Sequence, residues 1–448
     1  MTVIASLRAM RLDPELAAYA ASYENATPAD VAARQQQLLN AAWASSLARS
    51  PWARALKARF ALPSRFASLE VFDDLVPIMD KQDLRAIIDS VAVSAREAPV
   101  TWRATGGSTG EPFRFPTWRE EHARAGLNIW LGRRRLGISP SARLFLLWGR
   151  AHTLGSGWRG ALNKAKRRAS DYLLGYARCS AYELADEDLA RACDTLLHAR
   201  PTYVVGYASA LDRFATANMS RSREISALNL RAIVATAEGF PNAASRDLIA
   251  RCFGAPVFSE YGAEETGPLA YEDANGVHKV FWAHYRLTKR GGTGANANEV
   301  LVTALYPRAL PLLRYALGDL VDGDPAPGSC AGITSVRGVK GRCNDVVTLQ
   351  NGGTIHSQAF IHCMRDLPGV HAFQVVVTPQ GQPRLRYEAD KELDTGAIGE
   401  VRRRLAIVDP SLADTPVERA ACIARTIAGK HQMVVQEAPR VTAPDAVE

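Results

Sequence analysis

Between Leu144 and Leu305 short apolar runs alternate with segments long enough to be helices, and no other feature constrains the fold as much. Leu144 to Trp148, Tyr203 to Val205, Ile233 to Thr236, Val257 to Phe258 and Val300 to Leu305 have strand length, while Glu187 to Ala199 and Ala243 to Cys252 have helix length. Unbroken apolar strands are those buried on both faces, which helices must then cover. The pattern therefore predicts a layered α/β domain. At 448 residues the chain also exceeds what one core usually supports, so a large domain with a smaller companion is expected.

The first hundred residues read as helical. Thr27 caps a helix with Pro28 in its first turn and Asp30 three residues after the cap. Val31, Leu38, Leu39, Ala42, Trp43 and Leu47 then recur on one face. Asp80-Lys-Gln-Asp-Leu84 marks another helix start, with Lys81 expected on the surface. Toward the other end, Gly341-Arg-Cys-Asn-Asp-Val-Val347 followed by Gln350-Asn-Gly-Gly353 reads as a domain junction and hairpin. The expected division is residues 1–343 and residues 344–448. The second part is predicted to be a small α+β domain, with strands at Phe373 to Val377 and Leu385 to Tyr387 around Pro379-Gln-Gly-Gln-Pro383 and a helix near Ile398 to Ile407.

Composition excludes several classes. Apolar residues at 47% and charged residues at 22% are those of a globular protein, not a disordered or fibrous chain. The formal charge of +8 is spread out, with a denser cluster at Lys164-Ala-Lys-Arg-Arg168. That cluster suits a solvated face, or a contact with an acidic partner or nucleic acid; the first reading is preferred and no nucleic-acid partner is expected. The seven cysteines are odd in number, scattered and without a Cys-x-x-Cys pair, so neither a disulfide framework nor a structural zinc is indicated. A reducing compartment fits, no run approaches the roughly 20 apolar residues of a membrane span, and a cytoplasmic location is expected.

Several segments carry chemistry. Thr105-Gly-Gly-Ser-Thr-Gly110 packs glycines and hydroxyls after a β-prone run, so N–H groups and hydroxyls can converge on one anion. It lacks the Gly-Lys-Ser/Thr ending of a P-loop, and Glu111 stands where a base would help. An ordinary turn has the same composition. Val257-Phe-Ser-Glu-Tyr-Gly-Ala-Glu-Glu-Thr-Gly267 ends a β-run in an aromatic, a glycine and adjacent carboxylates, suited to stacking on a purine and holding Mg²⁺, or simply to a charged turn. Pro311-Leu-Leu-Arg-Tyr-Ala-Leu-Gly-Asp-Leu320 sets Asp319 where it can accept both hydroxyls of a ribose, although Gly-Asp is also a common turn. Lys430 closes Ala424-Arg-Thr-Ile-Ala-Gly-Lys430.

Taken in order, these segments and Gly341-Arg-x-Asn-Asp345 resemble the motifs of the adenylate-forming (acyl-CoA synthetase) superfamily. They are most similar to its phenylacetate-CoA ligase and CapK-like branch, as are Glu260 before Tyr261 and Gly206-Tyr-Ala-Ser-Ala-Leu211. The resemblance implies a large layered α/β domain with a small mobile α+β domain, and activation of a carboxylic acid by ATP. It implies that Thr105, Gly106, Gly107, Ser108, Thr109 and Gly110 hold the β- and γ-phosphates, Thr109 being counted with the catalytic groups. Tyr261 and Gly262 would lie against adenine, Glu265 would serve Mg²⁺, and Asp319 with Arg342 would bind the ribose or phosphate. Asn344 would be the hinge, and Lys430 would reach the carboxylate and α-phosphate during adenylation. Trp148, His152 and Tyr207 are candidates for the acyl pocket and Glu238 for the nucleotide wall.

The resemblance also implies that the acyl-adenylate passes to the thiol of CoA, with Gly352 and Gly353 lining the pantetheine tunnel. An aryl or arylacetic acid is the expected substrate. Transfer to a carrier-protein phosphopantetheine or an amine is the alternative, and a nucleotide-binding protein without turnover is a second. A homodimer is compatible with the sequence, which does not decide oligomeric state. Two departures stand out. Glu264 replaces a threonine common in the Tyr-Gly motif and adds negative charge beside the expected metal. Tyr271-Glu-Asp-Ala274 has aspartate where some relatives have a zinc-binding cysteine, so Cys252 and His278 are not expected to hold zinc.

Overall fold

The computed structural model describes residues 3–24, 26–95, 100–104, 113–148, 157–181, 186–241, 244–290, 298–326, 329–342, 346–349, 354–356, 360, 363–364, 367, 369–423 and 433–437. Five helices lead: α1 (Val3–Glu24), α2 (Pro28–Arg49), α3 (Pro51–Arg59), α4 (Leu69–Leu75) and α5 (Lys81–Ala95). The start of α2 is the expected one. Thr27 Oγ1 accepts from the Asp30 N–H at 3.2 Å and Asp30 Oδ2 accepts from the Thr27 N–H at 3.0 Å, a capping box with Pro28 in the first turn. α5 begins where Asp80 Oδ1 accepts from the N–H groups of Gln82 and Asp83, at 2.8 and 3.0 Å.

A hairpin of β1 (Val100–Ala104) and β2 (Arg114–Trp118) brackets the glycine-rich loop, and α6 (Arg119–Arg135) follows. The alternating part then runs β3 (Leu144–Leu147), α7 (Gly157–Leu174), β4 (Tyr176–Cys179), α8 (Asp186–Ala199), β5 (Tyr203–Tyr207), α9 (Ala208–Ala217), α10 (Ser222–Ser226), β6 (Ile233–Thr236), α11 (Ser245–Phe253) and β7 (Val257–Ala263). Antiparallel β8 (Gly267–Glu272), β9 (His278–Val280) and the later β13 (Ser335–Val336) extend the same sheet, whose order is β13-β9-β8-β7-β6-β5-β3-β4. From β4 to β7 all pairings are parallel.

The unbroken apolar runs have a direct explanation. Phe145, Leu147, Val204, Ile233 and Ala235 enter a core with α8, α9 and α11, while Leu144, Leu146, Tyr203, Val205 and Val234 enter another with α6 and α1. Successive side chains point to opposite faces, and both faces are covered.

A second, antiparallel sheet orders β10 (Tyr285–Lys289), β11 (Glu299–Ala304), β12 (Tyr315–Asp322) and β14 (Gly338–Arg342). The helices α2 to α5 pack on it and bury Trp43, Phe66, Phe72 and Met79. After a short ribbon of β15 (Val346–Thr348) and β16 (Thr354–His356), the last sheet orders β19 (Val417–Arg419), β18 (Pro383–Ala389), β17 (Val370–Val377) and β20 (Val434–Gln436), with α12 (Thr395–Val408) against it. Its core draws on Val347 to Val434 alone. This α/β arrangement of a large lobe and a small α+β lobe is the predicted fold class. Arg213 on α9 and Glu388 on β18 approach to 3.8 Å across the lobes.

One expectation needs correction. The strand expected to end at Phe258 continues to Ala263, because β8 folds back on it and supplies antiparallel partners past the last parallel pair, Thr236 with Glu260.

α1 is tied to the large lobe by a buried polar chain. The Tyr19 hydroxyl donates to His284 Nε2, His284 Nδ1 donates to Asn128 Oδ1 at 2.7 Å, and Asn128 Nδ2 donates to the Pro268 carbonyl at 3.3 Å. A ring that accepts at one nitrogen is neutral. Burial, with a smaller contribution from Arg124, pushes the His284 pKa down to about 3. Since the unfolded imidazole titrates near about 6.5, the unfolded chain binds the extra proton first. The stability that neutral His284 contributes is complete above that pH and is lost as pH falls toward its folded value. Urea unfolding between about pH 6 and pH 4 should show a slope up to about 1.4 kcal/mol per pH unit steeper in the wild type than in His284→Gln. Identical slopes would remove His284 from this role.

Candidate active site

The chain lays down β3 and β4 outward, then returns to place β5 on the other side of β3, so the strand order reverses there. The carboxyl ends of parallel strands at such a reversal are where α/β sheets bind ligands, and this end is taken here as the candidate crevice. Trp148 follows β3 and Tyr207 ends β5, and their rings meet with centroids 4.7 Å apart. Glu238, two residues beyond β6, accepts from the Ser209 N–H at 2.9 Å and from the Ser209 hydroxyl, both at the start of α9. Thus Trp148, Tyr207 and Glu238 lie at one end of the sheet.

Tyr261 and Gly262 lie one strand further, near the end of β7. The buried Tyr261 hydroxyl donates to Asp319 Oδ2 at 3.0 Å, joining two segments that sequence separates widely. Asp319 is Cα partner to Arg342 across β12 and β14. Gly318, just before it, has φ +86°, a left-handed conformation that glycine adopts without steric cost. Glu299 Oε1 accepts from its N–H at 3.1 Å and Arg290 Nε donates to Glu299 Oε2 at 2.8 Å, which holds the irregular stretch of β12 that carries Asp319. At Gly262 a Cβ would stand 2.3 Å from the Gly267 carbonyl oxygen, so the β7–β8 turn closes over a residue without a side chain.

Glu265 is the buried member of the adjacent carboxylates. Lys81 Nζ lies 2.9 Å from its Oε1 and the Tyr315 hydroxyl donates to the same oxygen at 3.3 Å. Its carbonyl accepts from Arg308, which also pairs with Glu121 at 3.2 Å and donates to the Tyr306 hydroxyl at 2.8 Å. Lys81 is therefore not the surface residue expected from its sequence. Met79, two residues earlier, bridges Tyr315 on β12: Ala316 N–H donates to the Met79 carbonyl at 2.8 Å, and the start of α5 is carried to the crevice. Arg314 anchors the approach by donating to the Val76 carbonyl at 2.6 Å.

Glu264 is also paired. Arg103 of β1 donates from Nε at 2.9 Å and approaches with Nη2 to 2.7 Å. The charge added at the threonine position is thus offset by the strand that enters the glycine-rich loop. The other zinc-related residues are occupied elsewhere. Cys252 is buried in the core, where desolvation pushes its thiol pKa up to about 12, and His278 Nε2 lies 2.7 Å from Ser259 Oγ, which donates to Glu272 at 2.8 Å.

Thr105, Gly106, Gly107, Ser108, Thr109, Gly110, His152, Asn344, Gly352, Gly353 and Lys430 lie outside the described residues, as does the Arg342 side chain. The structure adds Lys81, Arg103, Ser209 and Tyr315 to the neighbourhood. Ser209 and Tyr315 stand inside segments already singled out, but all four meet partners in other segments, so no single segment announces the contacts.

No protein-family model matches the chain. Protein CapK of Staphylococcus aureus is 25% identical over 254 residues, a match that spans 55% of this chain and about half, 53%, of CapK. Among solved structures, 2-hydroxyisobutyryl-CoA ligase in its postadenylation state with R3-HIB-AMP aligns with a TM-score of 0.65 at 20% identity, covering 91% of this chain and 89% of that one. The chain has the fold of this CoA ligase and, over about half its length, a sequence similar to CapK. In its thioesterification state, with 2-HIB-AMP and CoA, the same ligase aligns at 0.52 over 91% and 89% of the two chains and 22% identity. The anthranilate CoA ligase AuaEII, bound to anthranoyl-AMP, aligns at 0.51 with 16% identity over 74% of this chain and 65% of its own.

The Lys81–Glu265 pair has a measurable consequence. Removing one partner of a buried pair costs about 3 to 5 kcal/mol, and the Lys81 side chain is 32% exposed against 5% for Glu265, so water recovers part of that. Lys81→Ala is expected to lose about 1 to 3 kcal/mol in urea unfolding, and Glu265→Gln in that background to recover most of it. A double-mutant cycle with no coupling would show that the ammonium does not neutralise the carboxylate.

Proposed function

We propose that this protein activates a carboxylic acid with ATP, forming an acyl-adenylate and releasing pyrophosphate, and then transfers the acyl group to CoA. The observation that carries the reading is the hydrogen bond from Tyr261 to Asp319 at the carboxyl ends of the parallel strands, with Arg342 in register beside the aspartate. An aromatic ring and a buried carboxylate fixed to one another are a preformed wall and ribose acceptor for one nucleoside.

In this reading residues 1–343 form the adenylation domain and residues 344–448 the small domain, turning about Asn344. Thr105 to Gly110 hold the β- and γ-phosphates at the tip of the β1–β2 hairpin. Asp319 accepts the ribose hydroxyls, Arg342 supports ribose or phosphate, and Glu238 borders the nucleotide. Trp148, Tyr207 and His152 border an acyl pocket, and the apposed rings of the first two favour an aryl or arylacetic acid. Glu265 has the oxygen donors and charge that Mg²⁺ requires, and would hold it in exchange for the Lys81 counter-charge. Bound Mg²⁺ supplies Lewis-acid neutralisation of phosphate charge.

The acid's carboxylate oxygen attacks the α-phosphorus; the new O–P bond replaces the bond to pyrophosphate, which departs with its electron pair. Like-charge repulsion is the obstacle. Lys430, brought in by the small domain, offsets it by neutralising charge that builds at the α-phosphate, a kind of contribution worth about 3 to 4 kcal/mol elsewhere. Rotation of the small domain then removes the lysine and admits CoA along Gly352 and Gly353, where the thiol sulfur bonds to the acyl carbon and AMP departs. That a neighbour of the same fold is known in both postadenylation and thioesterification states supports this alternation.

Given ATP, Mg²⁺ and a panel of aryl and alkyl carboxylic acids, the protein is expected to catalyse acid-dependent exchange of labelled pyrophosphate into ATP. Lys430→Ala should depress that exchange on the order of a hundredfold or more while sparing thioester formation from a supplied adenylate. Silence across the panel with ATP still bound would overturn the enzymatic reading, and equal loss in both half-reactions would make Lys430 structural.

A further inference from the structure

Seven of the twelve large apolar side chains exposed among the described residues stand on α1 and α7. These two helices pack against one another. Arg8 of α1 also donates from Nη1 to the hydroxyl of Tyr176, just past α7, at 2.8 Å. Ile4, Leu7 and Met10 come from α1; Trp158, Leu162, Tyr172 and Leu173 from α7, with Met10 and Trp158 each 73% exposed and Tyr172 80%.

The placement on α7 is inverted for a helix on a globular protein. Trp158, Leu162, Ala165, Ala169, Tyr172 and Leu173 fall within an arc of roughly 100° at 3.6 residues per turn, and all of them are exposed. The opposite face contains Asp171, which accepts both bonds of Arg178 at 2.9 Å. Asp171 is the one acidic residue of α7, so the outward arc carries none. Exposed Lys166 and Arg168 flank that arc on its two sides. Trp158 and Tyr172 are fourteen positions apart, about 21 Å along the axis.

We infer that the α1–α7 ridge docks on the surface of an anionic lipid bilayer. An apolar stripe with Trp and Tyr near its ends and bases along both sides is the arrangement that seats a helix at the headgroup boundary, rings and alkyl groups inward and ammonium or guanidinium groups on the phosphates. A second copy of this chain would set Lys166 and Arg168 against their own counterparts. An acidic protein would answer the bases but leave the two-helix apolar ridge to be matched separately. No described helix is long and apolar enough to cross a membrane, so the contact is peripheral.

The test is co-sedimentation of the full chain with vesicles of phosphatidylcholine alone and of phosphatidylcholine mixed with phosphatidylglycerol. Two variants serve, Trp158→Ser/Tyr172→Ser and Lys166→Gln/Arg168→Gln, both on exposed positions and both checked for fold by circular dichroism. Binding is expected on the anionic vesicles and weakly on neutral ones, reduced on the order of twentyfold by removal of the two bases and reduced strongly by loss of the rings. No binding to anionic vesicles, or binding unchanged in both variants, overturns the proposal. So does a dimer in sedimentation velocity that the variants disrupt, or capture of an acidic acyl carrier protein by this face, if either is found without vesicle binding.

Discussion

A buried carboxylate must find its counter-charge, and the site is built around how Glu265 finds one. Its side chain is almost wholly enclosed, so an unpaired charge there would cost several kcal/mol, and the chain answers with Lys81 and the Tyr315 hydroxyl. The lysine arrives because Met79 pairs with Tyr315, so one short bridge brings both partners to the same oxygen. The N-terminal helices are accordingly more than a cover for the second sheet. Arg286 and Arg314 converge on Asp73 of α4, Arg286 at 2.6 Å, and this hold keeps the segment leading to α5 in register with β12. Whatever ligand meets Glu265 must deal with a carboxylate already neutralised by a distant part of the chain.

The second dependence is topological. Reversal of strand order between β3 and β5 marks the candidate crevice, and the consecutive parallel strands then deliver Trp148, Tyr207, Glu238 and Tyr261 to it in sequence order. That is why segments with little individual meaning carried information when read in series. The second sheet contributes from the side: β12 takes a left-handed residue at Gly318, and the next residue, Asp319, meets Tyr261. The proposed nucleoside site thus draws on two sheets, joined by a hydrogen bond between side chains.

Much of the fold was legible because buried parallel strands leave an unbroken apolar run and caps leave a residue pattern; Thr27 with Asp30, and α12 after the β17–β18 hairpin, lie where those signals put them. Tyr261 and Asp319 were singled out because each stands beside a glycine in an apolar β-prone run, and the structure joins them by one hydrogen bond. Lys81 was not. Its local surroundings are those of any helix start, and nothing within a few residues announces a partner almost two hundred positions later. The extension of β7 past Phe258 was missed for a related reason, since polar Ser259 and Glu260 stay in the strand through pairing with β6 and β8. Lys166 and Arg168 of the basic cluster are exposed on α7, as a solvated face requires; the apolar arc beside them was not legible, because its direction depends on which side of the helix the sheet occupies.

Charge placement unites these parts. Glu264 and Glu265 are neighbours on a turn proposed to face a polyphosphate, and two unpaired carboxylates there would repel such a ligand. Each instead holds a cation from a different element, Arg103 from the strand entering the glycine-rich loop and Lys81 from the start of α5. The four side chains carry no net charge together. Glu264 thus draws Arg103 to its own turn, at the end of the strand that precedes the glycine-rich segment.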